Sequence, residues 1–435
     1  MDRHNSLLIL IFGFILWGDC EAQDREAPAD SLEANGAQIS PFLYVWARDE
    51  DRSHGGTDFL ATINADPSSA GYGEILATTP IHRMGSGAHH AEPVAPTEGP
   101  LLASGFSIDR TYMFDLTSPG APKLIGELET IPGLSYTHDY RRLADGKILM
   151  TMQRGDGSQE GDPGGLALLE SDGTLLLTAS AADPAFPGAI IRPYSLDVDA
   201  GHDRILTTGR SMFYAQERAA DVVQVWRLSD LKLLKTLSVL PIEEPVAPAC
   251  VLGPDELCEA KHYSSEQEPF EIRTMNDGSA LLSTFTCGIY RIPDITADEP
   301  TLEPVLNYPD LLGCSVPSLI GDFLLLPVMF SRTILTLDIS NPAVPREVSR
   351  YDTPDDFLPH WSAADPKGNR IVVTPDASES TFAVAIFHVD PETGSLELDR
   401  RFGSEQPPLG LSFERTDWPH GSTGPADPHA ALFGQ

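Results

Sequence analysis

Apolar and polar residues alternate along the chain in short runs that stop at turn residues. The runs come in pairs: "DFLATINADPSSAGYGEILATTP", "TYMFDLTSPGAPKLIGEL", "GLALLESDGTLLLTAS", "VVQVWRLSDLKLLKTLSV", "GIYRIPDITADEPTLEPVL", "TILTLDISNPAVPREVSRY" and "FAVAIFHVDPETGSLELDRRF". Each pair reads as a β-hairpin, with Gly, Pro, Asp or Asn at the turn. The seven hairpins begin near residues 58, 112, 165, 222, 288, 333 and 383, a spacing of about 45–66 residues. Between them lies a second, more apolar set: "HAEPVAPTEGPLLASG", "HDYRRLADGKILMTM", "YSLDVDAGHDRILTTG", "EIRTMNDGSALLSTF", "CSVPSLIGDFLLLPV" and "HWSAADPKGNRIVVT". Two strand pairs per repeat give four-stranded units, which predict an all-β, seven-bladed β-propeller over residues 41–435. No amphipathic helical stretch alternates with the strands, which argues against α/β folds.

In a propeller the innermost strands line a central channel, so equivalent positions of different blades converge. Aligned on their turn glycines, His138 lies eight residues before Gly146, His360 eight before Gly368, and His90 nine before Gly99. Tyr194, Glu271 and Cys314 fall at the matching places of other repeats. A single histidine usually reads as a satisfied polar residue, but three at one repeat position suggest a ring. Imidazoles around one axis form an open site for Cu, Zn, Fe or Ni. Glu271 is the candidate to handle a proton or orient a ligand. His89 should point away from His90 by strand alternation. The segment "WPHGSTGPADPHAALF" adds His420 and His429 where the last blade should close; His420 is taken with His89, His90, His138 and His360 as the candidate metal set, and the place of His429 stays open. His4, His54, His82, His202, His262 and His388 read as structural or solvated.

Charge narrows the partners. The formal charge is −35, from 64 acidic against 29 basic residues. That field repels phosphate backbones and anionic membrane surfaces, leaving a small-molecule substrate and no nucleic acid or membrane partner. Oligomeric state is not set by the sequence. An apolar run, Leu7–Trp17, follows Arg3 and is too short to span a bilayer. It reads as a signal-peptide core with cleavage after Ala22, so residues 1–22 are expected to be a signal peptide, 23–40 a linker, and the protein secreted or periplasmic. A lipoprotein reading at Cys20 is disfavoured by Asp19, and a buried N-terminal strand is the bland alternative. Cys250 and Cys258 flank a turn-rich "VLGPDEL" and are expected to form a local disulfide in an oxidising compartment. Cys287, in a strand-like run, reads as a buried thiol. No CxxC pair, G-x-S-x-G or glycine-rich phosphate loop occurs.

These residues bear a family likeness. "DFLATINADPSSAGYGEIL", "HHAEP" and "ASGFSIDRTYMFDLTSPGAPKL", followed by "GGLALLESDG", "VVQVWRLSDLKLLKTLSV", "PFEIRTMNDG" and "LTLDISNPAVPRE", resemble the selenium-binding protein family, which includes methanethiol oxidases. The likeness runs as scattered short matches, in order, over most of residues 41–403. It implies a seven-bladed propeller and a histidine-bound copper that oxidises methanethiol with O2 and water to formaldehyde, hydrogen sulfide and hydrogen peroxide. It places His89 and His90 at the family's His-His pair, His138 at the first histidine of its His-Thr-x-His motif, and Glu271 and Arg273 in its "LEIR" segment. Departures are Glu92-Pro93-Val94 after the pair, Arg141 for the motif's second histidine, and Asn276 where a histidine usually follows. The family's selenium-associated cysteine falls near Gly73, while His360 and His420 stand where the family has other residues. The expectation is a secreted copper oxidase of a small thiol. A zinc-dependent hydrolase (or a lactonase-type propeller) and a non-enzymatic metal- or ligand-binding propeller are the alternatives.

Overall fold

The two-strand-pair repeats fold into blades. The structure is a computed structural model that describes residues 39–50, 56–128, 131–155, 161–213, 219–242, 267–376, 381–403 and 409–434. The signal-peptide reading, Cys20, the linker up to residue 38 and the Cys250–Cys258 pair lie outside the described residues. Seven antiparallel sheets of four or five strands form the seven blades, and a two-stranded hairpin, Asp417–Trp418 with Gly421–Ser422, stands apart. Among the described residues there is no α-helix; one 3-10 turn, Phe106–Ile108, occurs.

The second to seventh blades begin with their innermost strands: Ala88–Ala91, Ser135–Arg142, Pro193–Asp199, Pro269–Thr274, Ser318–Ile320 and Pro359–Ala364. The first blade is built from both ends of the propeller. Phe42–Asp49, Phe59–Asn64 and Ile75–Pro80 supply three strands, and Ala426–Phe433 supplies the innermost one. That last strand pairs antiparallel with Phe42–Asp49, from Leu43 opposite Phe433 to Asp49 opposite Ala426. It packs against Ala88–Ala91 on one side and Pro359–Ala364 on the other, which closes the ring.

Burial explains the contrast between the two sets of strand pairs. Inner strands are covered on both faces by neighbouring blades: Ile148–Arg154 is buried except at its last residue, and Phe323–Val328 is buried throughout. Such strands must be continuously apolar. Outer strands face solvent, as in Leu175–Ser180, and carry exposed Leu76, Ile125, Leu176, Leu177 and Val348. Five seams hold their own apolar clusters, such as Leu102, Tyr140, Met150 and Leu169 between the second and third blades, and one large cluster spans the first, second and seventh.

Polar ties lock the closing seam. Fully buried Arg370 pairs with Asp365 at 2.7 Å and donates to the carbonyls of Ala65 and Ser40, while Ser40 Oγ donates to Asp365 Oδ1. Ser40, expected as the linker's last residue, is thus part of this seam. Tyr72 Oη donates to Asp399 Oδ2 at 2.7 Å, and His388 Nε2 lies 3.1 Å from the same oxygen.

One cysteine expectation is overturned. Cys287 is not a free thiol: it is disulfide-bonded to Cys314, with Cα atoms 5.1 Å apart. Cys287 occupies a tight turn at φ 65°, and Cys314 sits in a bridge to Val328, so the two loops meet edge to edge. This also removes Cys314 from the inner histidine position that the glycine alignment gives it. Closing a loop across a sequence separation of 27 constrains the unfolded chain by about 3–4 kcal/mol.

Candidate metal centre

Five histidines meet where the innermost strands of the first, second, third and seventh blades converge. His89 and His90 lie on Ala88–Ala91, His138 on Ser135–Arg142, His360 on Pro359–Ala364 and His429 on Ala426–Phe433. Ring centroids are 4.1 Å apart for His90–His138, 4.4 Å for His89–His90 and His89–His429, and 5.0 Å for His360–His429.

His89 does not turn away from His90. The register slips between Ala88 and Ala91, so the strand is irregular there and alternation fails. The two rings stack with an interplanar angle of 5°. The slip follows Gly87 at φ 70°, where a Cβ would collide with Ser107. Asp58 Oδ2 holds the segment by accepting from the Ala88 amide at 2.7 Å.

The cluster leaves buried imidazole nitrogens without partners. His89 Nδ1, both nitrogens of His90, His138 Nε2, His360 Nδ1 and His429 Nε2 are buried without a hydrogen-bond partner. Buried polar atoms are normally satisfied, so six orphans in one place call for an explanation. His138 has a defined tautomer: its Nδ1–H donates to the Tyr194 carbonyl at 3.0 Å, which leaves Nε2 as a lone pair. Burial holds all five rings below the usual histidine range, with neighbouring histidines adding to the effect for His89, His90 and His429; His138 is pushed down to about 3. Neutral imidazole is the metal-binding form.

The donor set fits a borderline or soft ion. His89, His90 and His429 each offer a ligand atom within 4.8 Å of the others. A tetrahedral ion with nitrogens at about 2.0–2.1 Å holds them about 3.3 Å apart, so the stacked His89 and His90 rings must turn for the group to close on one ion. An all-imidazole set suits copper or zinc, and does not suit calcium, which takes oxygen ligands.

Two residues singled out from the sequence stand elsewhere. His420 is at the rim of the first blade, where its Nδ1 lies 2.7 Å from Thr78 Oγ1 and its ring packs on Phe59 at 4.8 Å. The two-stranded hairpin that ends in Gly421–Ser422 carries it away from the cluster. Glu271 is buried and accepts from Ser195 Oγ at 2.8 Å and Arg273 Nη1 at 2.7 Å. Phe270, its neighbour, faces His360 at 6.2 Å, whereas the Glu271 carboxylate is held by Ser195 and Arg273. Glu271 belongs to a charged belt in which Arg141 bridges Asp139 and Asp197, and burial raises its carboxyl above the usual range. Arg141 and Asn276, two of the departures from the family pattern, have clear places: Arg141 in this belt and Asn276 exposed in a turn. Glu92 is buried and clamped by Arg142 through two contacts of 2.9 Å. His429, whose place the sequence leaves open, is the residue that joins the cluster; the closing strand is what places it.

Fold and site together define a seven-bladed propeller with an imidazole cluster where its innermost strands converge. No family model matches the chain. In sequence it is 25% identical to a methanethiol oxidase of Hyphomicrobium sp over 215 residues, 46% of this chain and 48% of that protein. It is 29% identical to selenium-binding protein 1 of Arabidopsis thaliana over 165 residues, 33% of this chain and 32% of that protein. The matches span about half or less of the length of these relatives. In structure it is similar to a hypothetical selenium-binding protein from Sulfolobus tokodaii, with TM-score 0.69 and 15% identity, covering 92% of this chain and 94% of that one. The chain is thus similar, distantly, to the selenium-binding protein and methanethiol oxidase family.

Proposed function

We propose that the chain is a secreted, copper-dependent oxidase of methanethiol or a related small thiol, acting in the histidine-lined channel. The observation that carries this reading is the set of six unbonded, buried imidazole nitrogens on four blades. The overall conversion is thiol + O2 + H2O to aldehyde, hydrogen sulfide and hydrogen peroxide, which balances for methanethiol and formaldehyde. Copper, when bound, would supply one-electron redox chemistry and O2 activation. The chain's own residues hold and insulate that site. His89, His90 and His429 are the ligand group, with His138 Nε2 aimed alongside. The Tyr194 carbonyl fixes the His138 tautomer, and Trp361 meets His90 edge-on at 4.9 Å, anchored by its Nε1–H to the Ala431 carbonyl. Tyr194, Phe270 and Trp361, all 2% exposed or less, exclude water from the ring's flanks. Glu271 is tied to Arg273 and Ser195 through Oε2, and its Oε1 is buried without a hydrogen-bond partner.

Secretion rests on the apolar N-terminal run, and the Cys287–Cys314 disulfide suits an oxidising compartment. Zinc is the alternative metal, since imidazoles do not separate it from copper by donor type. The test is metal analysis of untagged, full-length protein. About one copper per chain is expected, lost in His90→Ala and His138→Ala. Zinc retained in place of copper, with no thiol oxidation, would favour a hydrolase. Full copper content in both variants would overturn the site.

A further inference from the structure

The five histidines are not equally sheltered. His90, His138, His360 and His429 are buried, whereas His89 is partly exposed. Solvent therefore reaches the cluster past His89. Its ring lies 5.4 Å from Phe106, which also meets His138 at 6.2 Å. From Phe106 the rings continue outward to Tyr136 at 5.6 Å and Phe213 at 5.7 Å, and Tyr136 and Phe213 meet edge to face at 5.0 Å. All three rings are half-buried, and Phe106 is the one that touches the histidines. The other walls next to the cluster, Tyr194, Phe270 and Trp361, are closed.

The collar is held by unusual backbone. Tyr136 has φ 60° and Asp109 φ 54°, both left-handed, a region costly for a bulky side chain. The Tyr136 amide donates to Asp109 Oδ1, so each strained residue fixes the other. Phe106 sits on the 3-10 turn that ends at Asp109. The Arg154 guanidinium stacks 3.5 Å over Phe213 and lies 5.8 Å from Tyr136. Backbone strain persists where surrounding contacts over-determine it, and it concentrates at working sites. Packing alone would not require an aromatic at the left-handed position two residues before His138.

We infer that Phe106, Tyr136 and Phe213 form the passage to the histidine cluster and determine its substrate specificity, admitting small molecules and rejecting bulky ones. The naming of a small thiol as the admitted molecule rests on the proposed function; the passage itself does not.

The experiment has two arms. In the first, metal-free, full-length protein is treated with diethylpyrocarbonate, a small neutral reagent, and carbethoxylation is followed peptide by peptide. Phe106→Ala and Phe213→Ala are expected to speed labelling of His89 and His138 at least tenfold, with exposed His202 unchanged. Phe213→Leu, which keeps most of the bulk, is expected to stay near the wild-type rate and guards against general loosening. Unchanged labelling at His89 and His138 in both alanine variants would overturn the passage. In the second arm, copper-loaded protein is given methanethiol and 1-butanethiol. The alanine variants are expected to raise kcat/KM for butanethiol relative to methanethiol at least tenfold. Faster labelling with no thiol turned over by any form would sink the oxidase reading and leave the passage standing. Thiol turnover with unchanged selectivity and unchanged labelling would sink the passage and leave the oxidase reading.

Discussion

His138 owes its free Nε2 to one backbone carbonyl, that of Tyr194, because a carbonyl can only accept and so fixes the proton on Nδ1. His429 and His420 show the same logic of local partners from the other side. His420 has Thr78 and the Phe59 ring, and so has a structural place, whereas His429 Nε2 is buried with nothing bonded to it. His429→Ala is therefore expected to weaken copper binding at least 10- to 100-fold, and His420→Ala to leave it within twofold, measured by competition with a chelator. Equal losses in the two variants would place the metal elsewhere.

Elements differ in how much of their geometry a sequence carries. The hairpins are legible because inner strands are buried on two faces and outer strands on one, which writes a different apolar pattern into each. The slip between Ala88 and Ala91 is not legible, since nothing in "GAHHAEP" interrupts alternation except a glycine whose positive φ is known only from the fold. Counting from a turn glycine places Cys314 inward, but the sixth blade's innermost strand is only Ser318–Ile320, and the cysteine falls before it, against Cys287. Where elements join across blades, charge gives a testable handle. Tyr72 and His388 hold Asp399 at about 2, below the ordinary 3.8, despite burial, the largest influence, which acts in the opposite direction. A depressed carboxylate adds stability above its unfolded value and loses it as pH falls toward the folded one. Comparing wild type with Asp399→Asn by urea unfolding, the gap should be about 2 kcal/mol at pH 5 and shrink by about 1 kcal/mol at pH 3. A gap independent of pH would show that the carboxylate's charge is not what matters.

At the scale of the molecule, ring closure and site assembly are one event. The strand that closes the first blade, Ala426–Phe433, also brings His429 to the cluster, so a template that aligns His90, His138 and His360 by their turn glycines does not reach it. The buried Asp365–Arg370 pair stitches the same seam. Asp365→Ala leaves a buried guanidinium unpaired and is expected to cost about 3–5 kcal/mol, seen as a lower urea midpoint. A midpoint shift worth less than about 1 kcal/mol would mean that solvent or other carbonyls take over the arginine. Copper at a hundredfold excess over its Kd should restore about 2.7 kcal/mol to any closed but weakened ring.

The closing strand has a consequence for synthesis. Ala426–Phe433 leaves the ribosome after the rest of the propeller's strands, so a nascent chain can fold six blades and still lack His429. Under the proposed function, metal acquisition would report that translation has run through this strand, and a protease that clips it would remove His429 without touching the other four histidines.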